Sequence, residues 1–262
     1  MLEEIFSLTG KTAVVTGGTG HLGLAISEGL AKAGATVYIG SRNDKKGKEI
    51  ADKFNENLHV NCHSINLDIA DPISIKEGLE KINQETGSID ILVNNAYYGK
   101  SGIIEQMTED DWQLGMDGTI NGVFRCTKAV LPYMVLQKSG SIVNISSMYG
   151  VVSPNPEIYV SSNSHNPPSY GAGKAAILQL TRYVACHYGK HGIRANSISP
   201  GPFPNSEVQK NQDFIKKLVE KNPLNRIGEP KDLIGVSIFL SSQASSYVTG
   251  QNICVDGGWT AW

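Results

Sequence analysis

The 262-residue sequence is short of cysteine, of long apolar runs and of any surplus of one charge. Its four cysteines, Cys62, Cys126, Cys186 and Cys254, form no Cys-x-x-Cys pair and no His/Cys cluster spaced for a metal. A disulfide scaffold and a zinc module are therefore excluded, and the thiols are expected to be buried and reduced, in a cytoplasmic protein. Lys and Arg number 23 against 25 Asp and Glu, a net charge of −2, which leaves no basic field for nucleic acid. No apolar stretch approaches the ~20 residues that span a bilayer. The opening Met1-Leu-Glu-Glu-Ile-Phe6 has neither the basic head nor the apolar centre of a secretory signal. Glycine is what the chain has in excess: 28 residues, or about 11% against a usual ~7%, gathered at turns rather than in repeats.

The order of elements follows from hydrophobic periodicity. Short β-branched runs at Thr12–Thr16, Thr36–Ile39, Val60–Leu67, Ile89–Val93, Ser141–Ser146, Ile193–Ser199 and Asn252–Val255 read as strands. Helical patterns lie between them near 22–33, 45–56, 73–86, 109–137, 170–189 and 230–241. This alternation predicts an α/β fold: a doubly wound parallel sheet of about seven strands with helices on both faces, and ligands at the strands' carboxyl ends. No linker, composition shift or repeat divides the chain, so residues 1–262 are expected to form one domain.

Two features carry chemistry. The first strand runs into Gly17-Gly18-Thr19-Gly20-His21-Leu22-Gly23 and then an apolar helix. Such a turn lets backbone approach a pyrophosphate at a helix N-terminus, so a dinucleotide is expected there. Far along the chain, Tyr170 and Lys174 stand four residues apart, on one helical face. A cation near a phenol favours the phenolate and lowers its pKa, which makes the pair a candidate general acid/base.

Together these residues resemble the short-chain dehydrogenase/reductase family, in its compact tyrosine-dependent form, over nearly the whole chain. Asn94-Asn95-Ala96, Asn144-Ile-Ser-Ser147, Ser199-Pro200-Gly201, and Val248-Thr-Gly-Gln with Val255-Asp-Gly-Gly258 also match that family's motifs, in order and on the expected strand ends. The resemblance implies a Rossmann-type oxidoreductase interconverting a secondary alcohol and a ketone with NADP or NAD. Tyr170 would be the acid/base, and Lys174 would lower its pKa and hold the nicotinamide ribose. Ser147 would bond the substrate oxygen, with Ser146 as the alternative. Gly17, Thr19, Gly20, His21, Leu22, Gly23, Asn95, Ala96, Pro200 and Gly201 would surround the cofactor, with Asp68 and Ile69 at the adenine. The second strand ends at Ser41-Arg42 where NAD-preferring relatives carry an acid. That favours NADP; the alternative is an Arg42 that stacks on adenine or faces solvent and permits NAD.

Four positions depart from the family. His21 stands where compact members have a glycine, and that spacing resembles sugar-nucleotide epimerases and dehydratases. Thr119 occupies the place of the fourth catalytic residue, an asparagine, with Asn121 two positions on. Tyr97 replaces the last glycine of Asn-Asn-Ala-Gly, followed by Tyr98; these rings either stack on substrate or pack under the neighbouring loop. Finally, Pro154–Pro168 lengthens the Ser147–Tyr170 interval and is read as a pocket wall carrying Tyr159, Asn163 and His165, or else as a subunit contact. Tyr97, Tyr98, Tyr149 and His165 lean toward a polar, sugar-like substrate, beneath a mobile lid between Gly201 and about Asn222 that brings Phe203 over the pocket. The competing readings are an epimerase or dehydratase using nicotinamide transiently, and a non-catalytic dinucleotide-binding protein. By resemblance, helices 109–137 and 170–189 would build a homotetramer or homodimer. No nucleic acid, membrane or metal is expected.

Overall fold

A computed structural model describes residues 2–159 and 165–262. Seven parallel strands form one sheet in the order β3-β2-β1-β4-β5-β6-β7. They are β1 (Thr12–Thr16), β2 (Thr36–Ser41), β3 (Asn61–Asn66), β4 (Ile91–Asn94), β5 (Gly140–Ile145), β6 (Ile193–Pro200) and β7 (Asn252–Val255). The helices are α1 (Leu2–Phe6), α2 (His21–Lys32), α3 (Asp44–Leu58), α4 (Pro72–Thr86), α5 (Glu109–Met116), α6 (Gly122–Gln137), α7 (Pro168–Tyr188), α8 (Gln212–Glu220) and α9 (Ile234–Ser241).

Period-two alternation along the strands divides the core into two layers. Val14 and Leu92 point to one face, with Cys126, Val130, Ile142 and Val184. Ala13, Val15 and Val93 point to the other, with Ile26, Leu30, Val143 and Leu240. The chain reverses its direction of travel across the sheet between β1 and β4, which pair directly. Their carboxyl ends therefore flank the crevice where such sheets bind ligands.

The cysteines depart from expectation. All four are free, but only Cys62 and Cys126 are buried, while Cys186 and Cys254 are exposed. The single helix expected over 109–137 is broken by a π-helical turn at Asp117–Asn121. Within that turn Thr119 bonds back to the carbonyl of Gly115 at 2.7 Å, a competing bond of the kind that distorts helices. The segment expected as a mobile lid contains α8, which docks on the insert. Leu218 is buried, Phe214 packs 5.8 Å from the Tyr159 ring, and Lys217 donates to the Glu157 carbonyl at 3.1 Å. Among the described residues no helix is long and apolar enough to cross a membrane.

Candidate active site

A cleft of about 580 Å³ opens at the carboxyl ends of the strands. At one end lies the glycine-rich turn. Gly17 has φ +63°, and a Cβ there would stand 2.9 Å from the Ala96 Cα, so only glycine fits. The helix that follows, α2, has Gly20 at its N-cap and no side-chain cap bond, which leaves its first N–H groups facing the cleft. Asn95 pins the turn: its Nδ2 donates to the carbonyls of Thr16 (3.0 Å) and Gly17 (3.1 Å). Thr16 returns the contact by accepting the N–H groups of Asn95 and Ala96 on Oγ1. Gly23 supports the turn from behind, where a Cβ would meet Asn95 Nδ2 at 2.6 Å, and does not line the cleft.

The lining continues through Thr19, His21, Leu22, Ser41, Arg42, Asp68 and Ile69 at the same end. Ser41 is fixed by Thr19 Oγ1 at 3.3 Å and by the Asn43 N–H at 3.1 Å. Lys46, in the first turn of α3, joins Arg42 on the wall. Sequence reading passed over Lys46; a second cation four residues after Arg42 was its only signal. The donors and cations present fit a dinucleotide: open helix N–H groups for a pyrophosphate, and two cations with a hydroxyl at the end of β2 for a further phosphate.

The other end gathers Asn95, Ala96, Tyr97, Tyr98, Ser147, Tyr170, Lys174, Pro200, Gly201 and Phe203. Buried polar bonds hold the scaffold beneath them. Asn94 Nδ2 donates to Asn144 Oδ1 at 2.8 Å, and Asn144 Nδ2 donates to Thr181 Oγ1 at 2.9 Å, tying β4, β5 and α7 together. Ser147 follows β5, accepts the Tyr149 N–H at 3.1 Å and is hydrogen-bonded to Tyr170. Ser146 gives its hydroxyl to the Lys174 carbonyl at 2.8 Å, which makes it a strut for α7. Lys174 is 4% exposed, and its Nζ donates to the Ile145 carbonyl at 2.7 Å and lies 5.5 Å from the Tyr170 ring centre.

The electrostatics differ from the simple pairing read in the sequence. Burial lowers the Lys174 ammonium to about 8. Burial also raises Tyr170 above the ordinary phenol value, against the opposing hydrogen bond of Ser147. The groups that set the Tyr170 value are burial, Ser147 and Tyr159, while the Lys174 ammonium is turned to the Ile145 carbonyl. Near neutrality the pair is therefore a protonated phenol beside a cation that is close to losing its charge.

Four further expected residues fall outside the cleft. Thr119 is buried, its hydroxyl taken by Gly115, and it packs where a Cβ on Gly173 would collide with Oγ1. Asn121 is exposed and donates to Asp117 at 3.3 Å. Neither reaches the cleft. Tyr149 and His165 line a neighbouring groove of about 750 Å³. His165 faces away because its ring stacks on Tyr159, 4.4 Å between centres, and Tyr159 in turn donates to the Tyr149 hydroxyl at 3.1 Å. Asn163 lies outside the described residues. Asp117, absent from the sequence reading, joins Tyr98 to Arg125, and Arg125 donates to the Ile69 carbonyl at 3.2 Å, linking the two ends of the cleft.

A family model described as enoyl-(acyl carrier protein) reductase, of the short-chain alcohol dehydrogenase type, matches residues 19–260. The chain belongs to the short-chain dehydrogenase/reductase family. It is 33% identical to gluconate 5-dehydrogenase of Gluconobacter oxydans over 98% of this chain and 97% of that one. It is 35% identical to a 3-oxoacyl-(acyl-carrier-protein) reductase of Thermotoga maritima, over 96% and 98%. Among solved structures, a gluconate 5-dehydrogenase from Burkholderia cenocepacia in complex with NADP and tartrate superposes with a TM-score of 0.91 at 30% identity, each chain covered completely. The fold is thus the family's Rossmann-type sheet, and the chain is an oxidoreductase acting between alcohol and carbonyl with a nicotinamide dinucleotide.

Proposed function

We propose that this short-chain dehydrogenase/reductase uses NADP to interconvert a secondary alcohol and a ketone on a sugar-like substrate. The observation that carries the reading is one cleft with Ser41, Arg42 and Lys46 at one end and Ser147, Tyr170 and Lys174 at the other. The cation pair suits a ribose phosphate, which an acid at the end of β2 would repel. A nicotinamide bound at the Tyr170 end supplies or takes up the hydride. In reduction, Tyr170 Oη gives its proton to the carbonyl oxygen, while the Ser147 hydroxyl, beside Tyr170, donates to the same oxygen. In oxidation Tyr170 takes the hydroxyl proton; cationic Lys174 would stabilise the phenolate and would hold the ribose hydroxyls of a bound dinucleotide. Thr119, with its hydroxyl satisfied inside its own helix, is given no step.

The sugar-like substrate rests on the gluconate 5-dehydrogenase relatives and on the tyrosine-rich wall of Tyr97 and Tyr98. Steady-state kinetics with NADPH and NADH over ketoses, keto-acids of sugars and a 3-oxoacyl thioester tests it. The expected result is net oxidation of NADPH with a sugar-like ketone. Strong NADH preference discards the Arg42–Lys46 assignment, and thioester turnover alone replaces the substrate class. Net cofactor turnover also separates this reading from an epimerase, which shows none.

The seven strands in one sheet support a single domain over 1–262, and four unpaired thiols support a cytoplasmic location. Exposed Phe124 and Leu136 on α6 and Tyr183 on α7 support a homodimer or homotetramer through those helices. Light scattering that gives a monomer contradicts this.

A further inference from the structure

Tyr97 stands against the proton-transfer pair from outside the strands and helices that carry it. Its ring meets Tyr170 edge-on, 5.0 Å between centres with planes at 76°, and its centre lies 5.9 Å from Lys174 Nζ. The hydroxyl end has its own seat: a Cβ on Gly99 would stand 2.7 Å from Tyr97 Oη. Lys174 is nearly buried although it lines an open cleft. Two rings lie over its ammonium, Tyr97 from the loop after β4 and Tyr170 from the preceding turn of α7.

We propose that Tyr97 is a sealing residue, whose ring closes the cleft side of the Tyr170–Lys174 pair and keeps water off the ammonium. It is a positioning residue and acts through Lys174. The inference rests on the reading of Tyr170 and Lys174 as the proton-transfer pair.

Two effects of the ring oppose each other. A ring face attracts a cation and favours its charge, whereas exclusion of water disfavours it. At 5.9 Å the ammonium stands near the ~6 Å outer limit of useful cation–π contact. Exclusion of water therefore wins, in keeping with burial as the cause that lowers Lys174 to about 8. The titratable groups facing the pair are phenols: Tyr97 after β4, Tyr149 after β5 and Tyr159 of the insert. Asp117, on the π-helical turn, is held by Tyr98, Asn121 and Arg125, and no charged side chain among the described residues contributes to the Lys174 displacement. The consequence is a cation whose charge is set by the side chain at position 97.

The test is a pH titration of Lys174 in cofactor-free enzyme by NMR, using lysine labelled at Cε, with the Lys174 signal assigned by its loss in Lys174→Arg. The wild-type midpoint is expected near about 8. Tyr97→Phe keeps the ring and keeps that midpoint. Tyr97→Gly admits water and raises the midpoint by about one pH unit or more, toward the ordinary ~10.4. Gly99→Ala, which unseats the hydroxyl end while leaving Tyr97 in the sequence, moves it in the same direction. A Tyr97→Gly midpoint equal to wild type overturns the proposal, as does an ordinary midpoint in the wild type. The titration needs no turnover, so inactivity toward sugars would defeat the substrate reading and leave this result standing.

Discussion

The two ends of the cleft are built on different principles. The dinucleotide end is mostly backbone: a Gly17 turn that no side chain fits, open N–H groups on α2, and Asn95 and Thr16 bonding main-chain atoms. The Tyr170 end is mostly aromatic side chain, with Tyr97, Tyr98 and Phe203 around Tyr170 and the Tyr149–Tyr159–Phe214 cluster packed behind. Backbone sites tolerate little variation and carry the shared cofactor chemistry. Side-chain walls can be rebuilt residue by residue, and here they hold most of what is particular to this chain.

Substitutions at each end should therefore fail differently. The largest effect belongs to Tyr170→Phe, expected to lower kcat by about 10²–10⁴, the usual worth of a positioned acid/base, with NADPH affinity retained. Equal loss of NADPH binding would show the two ends to be one cooperative unit. Next comes the double change Arg42→Ala, Lys46→Ala. Loss of charge-assisted bonds worth ~1.5–3 kcal/mol each should raise the NADPH Kd about tenfold or more and leave NADH unchanged.

The pH dependence is smaller and has a definite sign. As pH rises through about 8 Lys174 loses its charge, so kcat/KM for ketone reduction, which reports the free enzyme, should fall on the alkaline side. Stability moves the other way. Between about 8 and the ordinary ~10.4 the unfolded chain binds more protons at this lysine than the folded one, so Lys174 makes folding more favourable as pH rises through that window. Urea melts at several pH values on wild type and Lys174→Met separate this contribution from the other groups. The smallest effect is Tyr159→Phe, which removes the bond to Tyr149 and the acceptor for Asn166 Nδ2 at 2.9 Å. It should cost about 1 kcal/mol in a denaturant melt, with cofactor affinity unaltered.

What the sequence made legible follows the same division. All seven strands were readable to within two residues at each end: β1, β2, β4, β5 and β6 are buried runs between turns, and the half-exposed β3 and β7 stand out by their place in the strand–helix alternation. That the glycine turn, Asn95, Ser147, Tyr170 and Lys174 share one cleft was readable because each sits at a fixed place on a strand end or a helix. The five-residue α1 and the docked state of α8 were not, since both depend on tertiary contacts that local pattern does not encode. The π-helical turn at Asp117–Asn121 was hidden for a related reason: the Thr119 back-bond and the Gly118 contact with the Tyr98 carbonyl exist only once loop and helix have met. The same holds for His165, a polar loop residue whose ring is claimed by Tyr159, and for the charge state of Lys174, which is set by burial rather than by its spacing from Tyr170.

A crystal structure of the chain with NADP bound tests the central claim most directly. The account predicts the ribose phosphate between Arg42 and Lys46 and the nicotinamide ring beside Tyr170, with its reactive carbon facing the phenol oxygen. A phosphate that avoids both cations, or a ring seated away from Tyr170, would contradict it.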